Sequence, residues 1–180
     1  FLLKHKALKF GEFTLKSGRV SPYFFNLATF QTGASLAQLG EFYATALLQS
    51  NIPFDILYGP AYKGIPLVSA TAIALSQQHQ KDTPYCFNRK EVKDHGDKGR
   101  FVGAAMAGNI VMVDDVITAG TTVRETVELI EDTAAHLSGI IIAFDRQEKG
   151  QGQQSAVQEA VKKYGIPVQS IITLQDLIEH

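Results

Sequence analysis

The sequence of residues 110–122 is IVMVDDVITAGTT. It begins with four apolar residues, continues with the carboxylates of Asp114 and Asp115, and ends in small and hydroxylated residues. A short apolar run followed by a loop and a helical pattern is typical of a buried parallel strand in an α/β protein. The loop favours an anion, because small residues let backbone N–H groups approach a phosphate and the helix N-terminus adds positive potential.

The same alternation continues on both sides of this stretch. Further apolar runs at 54–58 and 140–144 predict strands, as does the segment at 170–173, and the patterns at 35–50 and 65–75 predict helices. Three candidate capping boxes mark helix starts, namely Ser35 with Gln38, Thr122 with Glu125, and Ser155 with Gln158. The second helix of these three is predicted to run to Gly139, with an apolar stripe at Val123, Val127, Ile130, Ala134 and Leu137.

This pattern predicts an α/β fold with a mainly parallel central sheet flanked by helices, whose ligands bind beyond the carboxyl ends of the strands. The length of 180 residues predicts one domain over residues 1–180. Residues 1–30 fit the alternation poorly, so we expect them to form a small appendage.

Composition limits the classes of function. The formal net charge of -1 argues against a nucleic-acid or anionic-membrane partner, and the longest nearly apolar stretch, residues 101–113, is too short to cross a bilayer. The lone Cys86 cannot form an internal disulfide or a cysteine-pair zinc site, so we expect a cytoplasmic protein. No histidines have metal-ligand spacing such as H-E-x-x-H.

The two carboxylates need a partner other than the phosphate, because like charges repel. Sugar hydroxyls that donate hydrogen bonds to Asp114 and Asp115 would satisfy them, as would a magnesium ion. The chain has no G-x-x-x-x-G-K-[ST] motif, and Gly150-x-Gly152-x-x-Ser155 lacks a third glycine. A phosphorylated ribose therefore fits better than the ligands of a simple ATPase or dehydrogenase.

Residues 110–122 resemble the donor-binding motif of type I phosphoribosyltransferases, which bind 5-phospho-α-D-ribose 1-diphosphate (PRPP). The resemblance implies that the acidic pair binds the ribose hydroxyls and that the following loop holds the 5-phosphate. The implied donor-binding residues of this motif are Asp114, Asp115, Val116, Ile117, Thr118, Ala119, Gly120, Thr121 and Thr122.

Four more segments are similar to the orotate phosphoribosyltransferase family, and the resemblance covers essentially the whole chain. They lie at residues 16–19, 21–26, 59–64 and 88–96. The implied reaction transfers the phosphoribosyl group from PRPP to N1 of orotate, with Mg²⁺ held mainly through PRPP rather than by protein ligands alone. The products are orotidine 5'-phosphate and diphosphate, in pyrimidine (UMP) biosynthesis.

Residues 88–103, which we call the lid, are rich in charge. Residues 88–100 contain five basic side chains against three acidic ones, which is also the composition of an ordinary solvated loop. The resemblance instead implies a mobile lid of a homodimer, in which Arg89 and Lys93 act in the neighbouring subunit's site. It assigns Lys93, Asp114 and Asp115 to catalysis and adds these donor-binding residues: Lys16, Tyr62, Lys63, Arg89, Lys90, Lys93 and His95.

An acceptor pocket is implied in the same way. Phe24 and Phe25 point to opposite faces of an extended chain, so one of them is free to cover a flat ring. Arg146 follows a predicted strand, and its planar fork suits a carboxylate, although a surface salt bridge explains it equally well. The implied orotate-binding residues are Lys16, Phe24, Phe25, Thr118 and Arg146, with residues 1–30 as a hood.

Other functions remain open from the residues alone. One is a uracil or purine phosphoribosyltransferase, and another is a non-catalytic regulator that keeps the fold, senses a nucleotide and could also bind RNA. A receiver domain with Asp114 and Asp115 as its acidic pair is a weaker third alternative, since the Thr118 to Thr122 loop argues against it. The base that accepts the N1 proton is also left open.

Overall fold

The fold is described from a computed structural model, which covers residues 1–14, 18, 20–91, 99–148 and 154–179. The chain divides into two units, Phe1–Leu36 and Ala37–His180. The sequence pattern placed the first boundary at residue 30. The chain continues through a short 3-10 helix and into the first turn of a long helix before the second unit begins.

The first unit contains an antiparallel hairpin of β1 (Leu8–Thr14) and β2 (Val20–Phe25). A 3-10 helix follows at Leu27–Thr29, capped by the side chain of Asn26, which accepts a hydrogen bond from the Ala28 backbone N–H. The sequence pattern did not predict this hairpin, because its strands lack a continuous apolar run.

The second unit is built on a six-stranded sheet of β3 (Ile56–Gly59), β4 (Tyr85–Asn88), β5 (Phe101–Gly103), β6 (Ala107–Asp114), β7 (Ala134–Asp145) and β8 (Val168–Thr173). The order of the strands in the sheet is β5-β4-β3-β6-β7-β8. All neighbouring strands are parallel except β4 and β5, which confirms the predicted mainly parallel sheet.

The helices are α1 (Gly33–Gln49), α2 (Gly64–His79), α3 (Thr121–Ile130), α4 (Ala156–Tyr164) and α5 (Leu174–Ile178). The core lies along the central strands, where residues 110–113 and 140–142 are fully buried. Runs that are buried on both faces explain why these strands have continuous rather than alternating apolar residues.

Two predicted helix caps are wrong, and one is confirmed. Ser35 lies inside α1, and Thr32 accepts a hydrogen bond from its backbone N–H at 3.2 Å, so the helix begins earlier than predicted. Gly120, rather than Thr122, is the N-cap of α3. The capping box of Ser155 and Gln158 at α4 is present in full.

The predicted extent of α3 is also wrong. The helix ends at Ile130, and Thr133 forms a turn by donating to the Ile130 carbonyl from both its backbone N–H and its hydroxyl. Ala134 and Leu137, predicted on the helix stripe, lie in β7 and pair with β6. Ala134 and Leu137 have helical spacing from Ile130, but pairing with β6 places them in a strand.

The lid boundaries need correction as well. Asn88 and residues 101–103 belong to β4 and β5, which pair antiparallel with Asn88 opposite Phe101. The backbone N–H of Arg89 donates to the Arg100 carbonyl at 2.9 Å and extends this pairing by one residue. The loop proper therefore starts later than predicted, and residues 92–98 lie outside the described residues.

Candidate active site

The parallel strands bring three polar segments to one edge of the sheet. The carboxyl end of β3 leads into residues 60–63, β6 ends at Asp114, and β7 ends at Asp145. In open α/β sheets this edge is where ligands bind. The predicted location of the site is therefore the one that the topology provides.

Asp114 and Asp115 have different environments at the end of β6. Asp114 as a residue is 6% exposed, and its Oδ1 accepts a hydrogen bond from the Asp115 backbone N–H at 2.8 Å. The buried Tyr43 hydroxyl donates to the Asp114 backbone carbonyl at 2.8 Å. Asp115 is tied to β7, since its backbone carbonyl accepts a bond from the Ala143 N–H at 3.0 Å. The acidic pair is thus held rigidly.

Lys63 forms an ion pair with Asp115 across 52 residues of sequence. The Lys63 Nζ lies 2.7 Å from Asp115 Oδ2, and the other carboxylate oxygen of Asp115 accepts a hydrogen bond from the Val116 N–H at 2.9 Å. The Lys63 side chain is 72% exposed, whereas that of Asp115 is 14% exposed. The ammonium therefore approaches the acidic pair from the solvent side.

Burial and charge change the protonation of these groups. Burial, together with the negative charge of Asp115, raises the pKa of Asp114 to about 7. The hydrogen bond to Asp115 raises the pKa of Lys63 and keeps its ammonium charged. The site thus combines a carboxyl group that titrates near neutrality with a fixed cation.

Residues 116–122, which we call the cradle, curl around a small cavity. The cavity has a volume of about 40 Å³ and is lined by Asp114, Val116, Ile117, Thr118, Gly120, Thr121, Thr122 and Val123. Gly120 has a φ of 67°, a left-handed conformation that favours glycine. Among the described residues no side chain caps α3, so its first N–H groups are available to an anion.

The loop at residues 60–63 connects β3 to α2. The peptide bond between Ala61 and Tyr62 is cis, and the Ala61 N–H donates to Asn88 Oδ1 at 2.8 Å. Tyr62 is 67% exposed, with the Lys90 Nζ 5.8 Å from the centre of its ring. We call residues 88–90, where the chain enters the lid, the base of the lid. The loop at 60–63 therefore contacts the base of the lid through Asn88 and Lys90.

A cleft of about 460 Å³ lies between this loop, the base of the lid and α3. Its basic lining residues include Arg89, Lys90 and Arg100, and Thr122 at the end of the cradle also lines it. Glu125 and Glu128 contribute acidic groups from α3. Of the predicted lid residues, Lys93 and His95 lie outside the described residues.

Arg146 is already paired. Its Nε lies 3.1 Å from Glu148 Oε2, and its Nη2 donates to Glu148 Oε1 at 3.1 Å. The Arg146 guanidinium thus binds the Glu148 carboxylate at two points. This is the salt bridge predicted from the sequence as the alternative to a ligand contact. No partner was predicted for this salt bridge, although Glu148 is the only acidic residue between Asp145 and Ser155.

Phe24 and Phe25 lie at the end of β2 in the first unit. Phe24 is exposed, with its ring 5.6 Å from that of Phe13, and Phe25 is half-buried. Neither residue is fully buried in the core. The sequence predicts that at least one of the two lies outside it. Lys16 lies outside the described residues.

The described part of the chain has neither a cluster of metal-binding side chains nor a membrane-spanning helix. It contains no group of three or more His, Cys, Asp or Glu side chains that could hold a metal ion. Nor does it contain a helix long and apolar enough to span a membrane. Cys86 is a buried free thiol in β4.

Comparisons with known proteins agree with this geometry. Residues 28–168 match the model of the phosphoribosyl transferase domain. The orotate phosphoribosyltransferases of Salmonella newport and Edwardsiella ictaluri are each 59% identical over the whole chain, which covers 84% of their length. The crystal structure of the orotate phosphoribosyltransferase of Francisella tularensis is 43% identical with a TM-score of 0.91, covering 99% of this chain and 86% of that one. With the acidic pair, the cradle and the loop at 60–63 all in place at one sheet edge, the chain belongs to the orotate phosphoribosyltransferase family.

Proposed function

We propose that the chain transfers the 5-phosphoribosyl group of PRPP to N1 of orotate, giving orotidine 5'-phosphate and diphosphate. The observation that carries the proposal is the convergence of an acidic pair, an anion cradle and a lysine-bearing loop at one sheet edge. These three features match the three parts of PRPP: ribose hydroxyls, 5-phosphate and diphosphate. The family of the chain supplies orotate as the acceptor.

In this proposal the cradle and the acidic pair fix the donor before reaction. The α3 N-terminus and the small residues around Gly120 bind the 5-phosphate through backbone N–H groups. Asp114 and Asp115 accept hydrogen bonds from the ribose hydroxyls. Binding the phosphate and the hydroxyls of the ribose fixes the position of its C1. The entropy cost of aligning donor and acceptor is then met on binding rather than in the reaction step.

The reaction forms one bond and breaks another at C1. The N1 lone pair of orotate forms the new bond, and the electrons of the bond between C1 and the diphosphate oxygen leave with the diphosphate. Negative charge therefore grows on the leaving group, where Lys63 and the basic residues of the lid stabilise it. We leave the acceptor of the N1 proton unassigned.

Lys93 is our proposed lid catalyst. A lysine that arrives only when the lid closes stabilises the transition state more than the ground state and keeps water from the donor. We further propose that the enzyme is a cytoplasmic homodimer, in which Arg89 and Lys93 of one subunit serve the site of the other. Mixing Lys93→Ala with Asp115→Asn protein tests this sharing, because only a mixed dimer regains one intact site.

Magnesium enters our proposal with the donor. Both carboxylate oxygens of Asp115 have partners in the chain, and Asp114 is buried, so the protein offers few free ligands of its own. The diphosphate oxygens of PRPP would hold most of the coordination sphere of Mg²⁺. Its role would be to neutralise charge on the leaving group, and chelation by EDTA should abolish turnover.

A panel of bases tests the proposal against uracil and purine transferases. Purified protein is mixed with Mg²⁺, PRPP and orotate, uracil, adenine or guanine, and the loss of each base is followed. Consumption of orotate alone, lost in Lys93→Ala, supports the proposal. Turnover of another base would retain the donor site and reject the orotate pocket. No turnover by a protein that still binds PRPP would favour a regulator.

A further inference from the structure

Asn88 lies at the carboxyl end of β4, where the strand enters the lid. Its Oδ1 accepts two hydrogen bonds, from the Tyr58 hydroxyl at 3.0 Å and from the Ala61 backbone N–H at 2.8 Å. Because a backbone N–H can only donate, the amide oxygen, and not its nitrogen, must face Ala61. The orientation of the Asn88 side chain is thereby fixed.

The donors to Asn88 belong to elements with separate tasks. Tyr58 is a buried residue of β3 and anchors the amide to the core of the sheet. Ala61 lies in the loop at 60–63, two residues before Lys63, whose ammonium reaches Asp115. Asn88 is therefore the point at which β3, the base of the lid and this loop are joined.

We propose that Asn88 is a positioning residue for the diphosphate of the donor. It holds the loop at 60–63 in the conformation that presents Lys63 and the loop backbone to this group, and it links that loop to the lid. This inference rests on the proposed function and assigns a role to a residue that the motif includes without one. A neutral acceptor suits the position, because a charged one would weaken the potential of Arg89 and Lys90 nearby.

Three substitutions separate positioning from direct contact. Asn88→Ala removes the acceptor and leaves the Ala61 N–H without its partner. Asn88→Asp retains the oxygen but replaces the amide nitrogen with a second, charged oxygen. Tyr58→Phe removes the hydroxyl that donates to the amide oxygen, together with the hydrogen bond between that hydroxyl and Thr126. Asn109→Ala is the matched control. Asn109 donates to Asp55 at 3.1 Å near the start of β6, whereas the acidic pair lies at the end of that strand.

The primary measurement is the affinity of inorganic diphosphate with Mg²⁺ by calorimetry, accompanied by KM values for PRPP and orotate. Asn88→Ala should weaken diphosphate binding and raise the KM for PRPP by roughly tenfold, with the orotate KM unchanged. Tyr58→Phe should cause a smaller loss, and no further loss in the Asn88→Ala background, because it acts through the same amide. Asn109→Ala should bind diphosphate as the unmodified chain does.

The order of the two Asn88 variants decides between the mechanisms. Positioning by an acceptor predicts that Asn88→Asp binds diphosphate more tightly than Asn88→Ala. The two variants are compared at high ionic strength, which screens repulsion between the introduced carboxylate and the diphosphate. An amide nitrogen that donates directly to diphosphate predicts no advantage of Asn88→Asp over Asn88→Ala there, because both lack the donor, and that result would overturn the proposal. An unchanged affinity in Asn88→Ala would also overturn it.

Two controls keep the result interpretable. Thermal unfolding shows whether each variant is folded, and Tyr58→Phe tests the same link if Asn88→Ala is not. Diphosphate binding requires no acceptor base. If the unmodified chain fails to use orotate, the proposed function fails while the comparison of Asn88 variants still stands.

Discussion

The Lys63 ammonium and the Asp115 carboxylate lie 2.7 Å apart, although they belong to the loops after two different strands of the sheet. The pair joins the residues proposed for the diphosphate to those proposed for the ribose. Parallel pairing of β3 with β6 makes the contact possible, because it places the carboxyl ends of both strands side by side. Binding of the donor must therefore act on both groups together.

Replacing Lys63 with Met should weaken donor binding without unfolding the protein. The variant loses a cation from the diphosphate site, so we expect the KM for PRPP to rise about tenfold or more, with the orotate KM nearly unchanged. The melting temperature should change little, because the Lys63 side chain is 72% exposed and an exposed cation contributes little to stability. Lys162→Met, at the end of α4, is the control in steady-state kinetics. An unchanged KM for PRPP would remove Lys63 from the donor site.

Asp114→Asn should stabilise the protein while abolishing activity. Because the pKa of Asp114 is raised from 3.8 to about 7, the folded chain binds this proton more tightly than the unfolded chain does. The buried carboxyl therefore lowers stability progressively as the pH rises from about 4 to about 7, and its cost remains above that range.

The melting temperature of Asp114→Asn should consequently exceed that of the unmodified chain, by more at pH 8 than at pH 5. Each kcal/mol corresponds to about 2–4 °C for a chain of this size. Calorimetric scans at the two pH values measure the difference, with the exposed Asp132→Asn as control. A gain that is larger at pH 5 would contradict the predicted titration.

Arg146→Lys should impair use of the acceptor more than use of the donor. Lysine cannot reproduce the two-point grip that the guanidinium makes on a carboxylate, as Glu148 already shows within the chain. We expect the orotate KM to rise about tenfold or more, with the KM for PRPP unchanged. The control is Arg124→Lys, whose side chain forms an exposed pair with Glu128 on α3. Equal effects on both substrates would argue against a role at the acceptor.

Gly59→Ala should destabilise the connection between β3 and α2, which contains the loop at 60–63. A Cβ at Gly59 would collide with the Gly64 carbonyl oxygen and lie 2.5 Å from Val68 Cγ1, so the start of α2 would have to move. We expect a loss of about 1–3 kcal/mol in the free energy of unfolding, measured by urea denaturation. Gly33→Ala, where an added Cβ meets nothing within 4 Å, should leave stability almost unchanged. Similar values for the two variants would refute the predicted close approach.

Local patterns predicted the central elements well, because the apolar runs of β6 and β7 are buried on both faces. They failed where tertiary pairing decides the outcome, as at Ala134 and Leu137, whose helical spacing yields to pairing with β6. The hairpin of β1 and β2 was missed for the opposite reason, since it has no continuous apolar run.

The chemistry of the site shows the same limit. The acidic pair and the cradle are contiguous in sequence, so their motif could be recognised directly. The pairing of Lys63 with Asp115 and the two bonds to Asn88 join residues far apart along the chain, and only the sheet topology brings them together. The partner of Arg146 is close in sequence, but its geometry depends on how the chain turns after β7.

The central claim is that this site joins orotate to the ribose of PRPP at the acidic pair. The most direct measurement follows the loss of orotate absorbance while product and diphosphate are quantified, for the unmodified chain and for Asp115→Asn. The account predicts one orotidine 5'-phosphate and one diphosphate for each orotate consumed, and almost no turnover by the variant. Orotate consumption without diphosphate release, or full turnover by Asp115→Asn, would contradict it.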